Sequence, residues 1–181
     1  MDIKNGEIIS VIGSLCLAFI MGLADDAYDT KPFLKFAVQI LCGVVLILSG
    51  TVIELFGNDW VNYVLTIIWV IGIMNSINML DNMDGITTTI AIVILSSALV
   101  FISSMPVVFP VLMFIICGVV GSLAGFLFFN WNPAKIYMGD SGSQFLGLLV
   151  GILGIKFFWN SSIYISNDIV HSKQIILVLL V

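Results

Sequence analysis

The chain is 181 residues long, 60% hydrophobic and only 9% charged, with a mean hydropathy of +1.19. These values exclude an ordinary soluble domain. Eleven acids against six lysines, with no arginine and a net charge of −5, argue against a nucleic-acid partner.

Spanning a hydrocarbon core of ~30 Å takes ~20 helical residues. Apolar runs of that length follow one another here with short breaks, and runs such as IAIVILSSALVFI lack the alternation of a barrel strand. The expected fold is therefore all-α: a polytopic transmembrane helix bundle forming one integral-membrane domain over 1–181. It would have about six complete spans plus a truncated seventh. The first span is predicted over Glu7–Ala24, ended by Asp25 and Asp26 with Pro32 beyond, and the second over Phe36–Phe56. A GNDWVN break, with Trp60 suited to an interface, leads to a third over Tyr63–Leu80. The fourth begins near Ile86 and fades at Pro106 and Pro110. The fifth covers Val111–Phe129 and the sixth Ser143–Trp159, and Gln174–Val181 begins a seventh that stops short. Cys16, Cys42 and Cys117 stand singly in apolar runs and are expected to be small core residues. The spacings Gly121-xxx-Gly125 and Gly147-xxx-Gly151 suit close helix packing, within one chain more often than in a homodimer.

Counting crossings places the breaks after the first, third and fifth spans on one side. They are DDAYDTKPFLK from Asp25, NSINMLDNMDG from Asn75 and NWNPAKIYMGDSG from Asn130. Together they hold Asp25, Asp26, Asp29, Asp81, Asp84 and Asp140, with Lys31, Lys35 and Lys135. The other loops carry Lys4, Lys156 and Lys173, so the lysine count does not orient the chain. A single loop acid is ordinarily just hydrated. Six of eleven acids gathered on one membrane face instead suit a hard divalent cation, which takes one or two carboxylates and completes its shell with water and substrate phosphate. Such a face is fitted to phosphoryl chemistry, with the Gly139-Asp140-Ser141-Gly142 turn allowing close backbone approach to a phosphate. Tyr137 could stack on a base or simply anchor an interface, and Asn75, Asn78 and Asn82 could bind ligand or cap helices.

Taken together, Asp25-Asp26 with Lys35 and Gln39, Asn75-xx-Asn78-xx-Asp81-xx-Asp84-Gly85, and Asn130-xx-Pro133-Ala134-xx-Tyr137-Met138-Gly139-Asp140-Ser141-Gly142 resemble the polyprenyl-phosphate N-acetylhexosamine-1-phosphate transferases of glycosyltransferase family 4. The resemblance implies transfer of a sugar-1-phosphate from a UDP-amino sugar to undecaprenyl phosphate, releasing UMP and initiating a cell-envelope glycan. It implies Mg2+ as cofactor, with Mn2+ able to substitute. It also implies a bacterial cytoplasmic membrane, with the motif loops in the cytoplasm. By position, Asp25 would be the base or orienting acid for the lipid phosphate, with Asp26 beside it. Asp140 would ligate the metal and Lys35 would face phosphate. Asp84 would hold the sugar-nucleotide end, and Asn78, Asp81, Gly85, Asn130 and Tyr137 would line the nucleotide pocket. The DDxYDxxPxxK arrangement is more similar to the GlcNAc-1-phosphate enzymes than to phospho-MurNAc-pentapeptide transferase.

Two departures from the family pattern stand out. Asn82 replaces the usual Gly of a DGxDG-like turn, a position where Asn tolerates a left-handed backbone. The family also has about ten spans and a His-rich downstream segment, whereas the single His171 falls by parity on the opposite side, so a piece of a longer enzyme is expected. Two other readings are a cation or proton transporter and an inactive membrane remnant. Transport predicts ionisable groups near mid-span, which only Lys156 approaches.

Overall fold

The structure, a computed structural model, describes residues 5–105 and 110–160. Among these residues there are six α-helices and no strand. They are α1 (Asn5–Tyr28), α2 (Pro32–Leu48), α3 (Asp59–Leu80), α4 (Ile86–Ser103), α5 (Pro110–Asn130) and α6 (Gly139–Leu153). The end of α6 widens into a π-helical segment, Gly154–Trp159. Five helices, with that segment counted into α6, are long and apolar enough to cross a membrane, and α2 is shorter at 17 residues. The chain is an integral membrane helix bundle. The expected seventh span and His171 lie outside the described residues.

The bundle is built around α6. Of its span, 78% is buried, against 17% to 33% for the other four long helices. Small residues allow this. A Cβ on Gly147 would lie 2.7 Å from the Met74 Cα of α3, and one on Gly22 of α1 would lie 2.3 Å from the Asp140 carbonyl oxygen, so both neighbours pack backbone against backbone. Leu148, Leu149, Ile152 and Ile155 fill the space between. Around Gly121 and Gly125 an added Cβ would meet nothing within 4 Å.

Several expected boundaries move. Helix α1 runs through Asp25 and Asp26 to Tyr28, because two acids in a last turn at the water boundary do not break hydrogen bonding. Pro32 opens α2 at its first position, where a missing N–H costs nothing. That helix stops at Leu48, eight residues before the expected Phe56. Gly50, at φ 88°, allows the Thr51 and Gly50 N–H groups to reach back to the Leu46 and Ile47 carbonyls, a glycine-terminated helix end. The apolar stretch that follows is irregular, and side chains satisfy its backbone. Asn62 Oδ1 accepts from the Leu55 and Phe56 N–H groups at 3.3 and 3.0 Å, Thr66 Oγ1 from Ile53 at 3.0 Å, and Asn160 Oδ1 from Glu54 at 3.0 Å. These bonds are what a non-helical segment requires near lipid. On the same end of the bundle, buried Lys156 pairs with Glu7. Only Cys42 is a core cysteine; Cys16 and Cys117 are exposed, on helix faces turned away from the other described helices.

Candidate functional site

Helices α1, α3 and α5 end, and α2, α4 and α6 begin, at the same end of the bundle, and side chains from four of them meet there. The Lys35 ammonium, in the first turn of α2, bridges Asp25 Oδ2 of α1 at 3.1 Å and Asp140 Oδ2 of α6. Asn78, in the last turn of α3, donates to the other Asp140 oxygen and, at 2.8 Å, to Ser143 Oγ. The Thr30 N–H and hydroxyl both donate to Asp25 Oδ1. The α1–α2 turn thus orients one carboxylate while the lysine spans two. Asn75 and Asn78 are helical residues of α3, not loop residues.

Asp26 points differently from its neighbour. Its two oxygens accept the N–H groups of Asp140 at 2.8 Å and Ser141 at 3.0 Å. It therefore caps the start of α6 from another helix and places negative charge at that helix's positive end. Gly139 has φ 67°, and a Cβ there would meet Asp26 Oδ2 at 2.8 Å. Only glycine lets the chain enter α6 beneath this carboxylate.

Asp81 lies just past α3. Burial raises its pKa above the ordinary carboxylate value, the nearby charges of Asp140 and Asp26 add to the rise, and the Gly139 amide offsets part of it. A carboxylate so placed gains from an added positive charge.

Asn130 and Asp84 form a second group that organises the loops. Asn130 is only 4% exposed. Its oxygen accepts from the Gly85 N–H at 3.1 Å and the Thr88 hydroxyl at 2.8 Å, and its nitrogen donates to the Ile136 carbonyl at 3.0 Å. It fastens the loop after α5 to the start of α4. Asp84 Oδ2 accepts from Asn132 Nδ2 and the Ala134 N–H, and beside it a cleft of about 310 Å³ is walled by Trp131, Ile86 and Ile90. The left-handed residue of the Asp81–Gly85 turn is Gly85, at φ 72°, and among the described residues the one non-glycine with positive φ is Asp29. The turn thus accommodates Asn82 without asking it for a left-handed backbone. Tyr137 is 75% exposed beside the start of α6.

Among the described residues no three His, Cys, Asp or Glu side chains form a metal cluster. Asp25 and Asp140 nevertheless aim oxygens at one cationic point, a hard-oxygen donor set of the kind that suits Mg2+ in company with substrate phosphates. Sequence reasoning did not single out Thr30, Ser143 or Gln144. The available signal was polarity: Ser143 and Gln144 follow Asp140 at the head of an otherwise apolar helix.

A family profile described as Glycosyl transferase family 4 matches residues 8–158. Over 162 residues the chain is 33% identical to a protein of Bacillus subtilis (strain 168) named probable undecaprenyl-phosphate N-acetylglucosaminyl 1-phosphate transferase, covering 80% of this chain and 42% of the relative. It is also 33% identical over 171 residues to phospho-N-acetylmuramoyl-pentapeptide-transferase of Streptococcus thermophilus (strain CNRZ 1066), covering 83% and 49%. The chain spans about half the length of the curated relatives it matches.

Proposed function

Because this chain belongs to glycosyl transferase family 4, we propose that it carries the reaction face of an integral-membrane enzyme that transfers a sugar-1-phosphate, most closely GlcNAc-1-phosphate, from a UDP-amino sugar to undecaprenyl phosphate. One observation carries this reading: Asp25 and Asp140 converge on the Lys35 ammonium and Asn78 donates to Asp140, so that side chains of four different helices meet at the membrane boundary. Transport would instead favour ionisable groups along mid-span, and the pair of buried Lys156 with half-buried Glu7 sits at the opposite end of the bundle.

In the proposed reaction a lipid phosphate oxygen attacks the β-phosphorus of the sugar nucleotide. The bond from that phosphorus to the bridging oxygen breaks, and UMP leaves with the bridging oxygen and its charge. Asp140 and Asp25 would hold Mg2+, which when bound neutralises charge on the diphosphate. Lys35 lies between them and turns its ammonium to a phosphate oxygen. Thr30 fixes the rotamer of Asp25, so that carboxylate orients the lipid phosphate; an already ionised nucleophile needs no base. Asn78 holds Asp140 in place, and Asp26 holds the backbone that carries Asp140. Asp84 and Gly85 border the cleft proposed for the sugar nucleotide, the exposed Tyr137 is proposed to stack on its base, and Asp81 lies near Asp140 and Asp26 at the phosphate end. Asn130 supports that cleft through the loop contacts described above. The motif loops would face the cytoplasm of a bacterial cell, where UDP-sugars are made.

The equal identity to the pentapeptide transferase supports phospho-MurNAc-pentapeptide transfer as the alternative. The chain in membranes, given labelled UDP-GlcNAc or UDP-MurNAc-pentapeptide with undecaprenyl phosphate, tests both. The expected result is label in lipid from UDP-GlcNAc, abolished by Asp140→Asn. Label from the pentapeptide donor alone would shift the assignment, and transfer that survives Asp140→Asn would overturn the proposed site.

A further inference from the structure

One helical turn deeper in the bundle, the three helices that carry Lys35, Asn78 and Asp140 meet again through amides. The geometry repeats: Gln39 follows Lys35 by four residues on α2, Gln144 follows Asp140 by four on α6, and Asn75 precedes Asn78 by three on the oppositely directed α3. Residues three or four apart share a helix face. Gln39 and Gln144 are each 1% exposed. Gln39 and Asn75 form a reciprocal pair, with Gln39 Nε2 donating to Asn75 Oδ1 at 3.2 Å and Asn75 Nδ2 donating to Gln39 Oε1 at 2.9 Å. Gln39 Nε2 also donates to Gln144 Oε1 at 3.0 Å. Asn75 is tied further to its own helix at the Ile71 carbonyl, while Gln144 Nε2 is buried with no partner.

Aliphatic side chains would fill this space without the desolvation that buried amides incur, and they would let the helices slide. Amides that must find one another allow one register. We propose that Gln39, Asn75 and Gln144 are positioning residues: a hydrogen-bonded layer that fixes the mutual register of α2, α3 and α6 and so brings Lys35, Asn78 and Asp140 together one turn above. The inference rests on the proposed function for its purpose, but not for its geometry. A slide of one helix by a fraction of its ~5.4 Å pitch would separate the Lys35 ammonium from Asp140.

Cross-linking tests the register without any substrate. With the exposed Cys16 and Cys117 replaced by alanine, Lys35→Cys and Asp140→Cys leave the amide layer as the polar tie between α2 and α6 at this end. The rate of joining by a short bis-maleimide in membranes then reads their proximity. Gln39→Leu removes all three inter-helix bonds and is expected to slow cross-linking about tenfold, as losing several inter-helix bonds in a membrane bundle should. The swapped pair Gln39→Asn with Asn75→Gln, which restores a reciprocal amide contact, should recover most of the rate. If Gln39→Leu fails to assemble, Gln144→Leu, which removes one bond, decides instead with an expected slowing of about threefold. Cross-linking at the unsubstituted rate in the assembled leucine variant, or no recovery in the swapped pair, would overturn the proposal. In an active preparation without the two cysteines, Gln39→Leu should lower kcat at least tenfold and move KM for the sugar nucleotide less than threefold, a split that loss of protein alone does not produce. If the protein with native Lys35 and Asp140 transfers nothing while the cysteine-pair protein shows the cross-linking pattern, the proposed function is contradicted and the positioning layer stands.

Discussion

Replacing Asp26 by alanine removes both acceptors for the Asp140 and Ser141 N–H groups and the negative charge at the head of α6. Loss of a capping side chain costs about 0.5–2 kcal/mol, and loss of a charge at a helix N-terminus about 0.3–1 kcal/mol. Asp26 is exposed, which favours the lower half of those ranges, so the expected loss is about 1–1.5 kcal/mol. That is roughly a five- to fifteenfold fall in the folded-to-unfolded ratio. Asp26→Asn keeps one of the two acceptor oxygens and loses the other together with the charge, so it should give up more than half of the alanine loss but not all of it. Tryptophan fluorescence during SDS titration in mixed micelles measures both. An alanine variant that unfolds at the wild-type midpoint would refute the capping role. An asparagine variant as unstable as alanine would show that the one remaining oxygen does not cap the helix by itself.

Lys35→Met should reduce transfer about a hundredfold, the usual cost of removing a donor aimed at developing charge, while Mn2+ binding followed by electron paramagnetic resonance persists because Asp25 and Asp140 remain. Asp81 has a raised folded-state pKa. Its contribution to stability is therefore present below the unfolded value of ~3.9 and lost as pH rises through the folded value. The metal-free protein should lose stability as pH rises from the unfolded value through the raised folded one, and Asp81→Asn should flatten this part of the pH profile in the same titration. Gly147→Ala places a methyl 2.7 Å from the Met74 Cα. Forcing α3 and α6 apart in this way should destabilise by about 1–3 kcal/mol, whereas Gly121→Ala, facing open space, should unfold like wild type.

The sequence shows most of the bundle because span length is a one-dimensional property: α3 to α6 need only an apolar run and a polar break. It shows less where tertiary contacts set the ends. Residues Thr51–Phe56 are as apolar as a helix, and what stops α2 before them is Gly50 together with amides from Asn62 and Asn160, the latter 106 positions away from Glu54. Parity alone predicts that the three polar segments share a face, and the motif residues suffice to suggest the family. Individual roles are harder to read. Asp25 and Asp26 are chemically identical neighbours, yet a helix turns successive side chains by about 100°, so one faces Lys35 and the other the head of α6. Asn130 reads as a binding amide and is folded inward, because the turn at Gly85 needs an acceptor. Gln144 escapes notice because only its meeting with Gln39, 105 residues earlier, gives it meaning.

We propose Asp25, Lys35, Asn78 and Asp140 as one cation- and phosphate-handling site. Its most direct test is Mn2+ binding to the purified chain by electron paramagnetic resonance, for wild type and Asp140→Asn, with and without UDP-GlcNAc. One bound Mn2+ is expected in the wild type, tightened by the sugar nucleotide and lost in the variant. Binding that is unchanged in Asp140→Asn, or indifferent to the nucleotide, would contradict it.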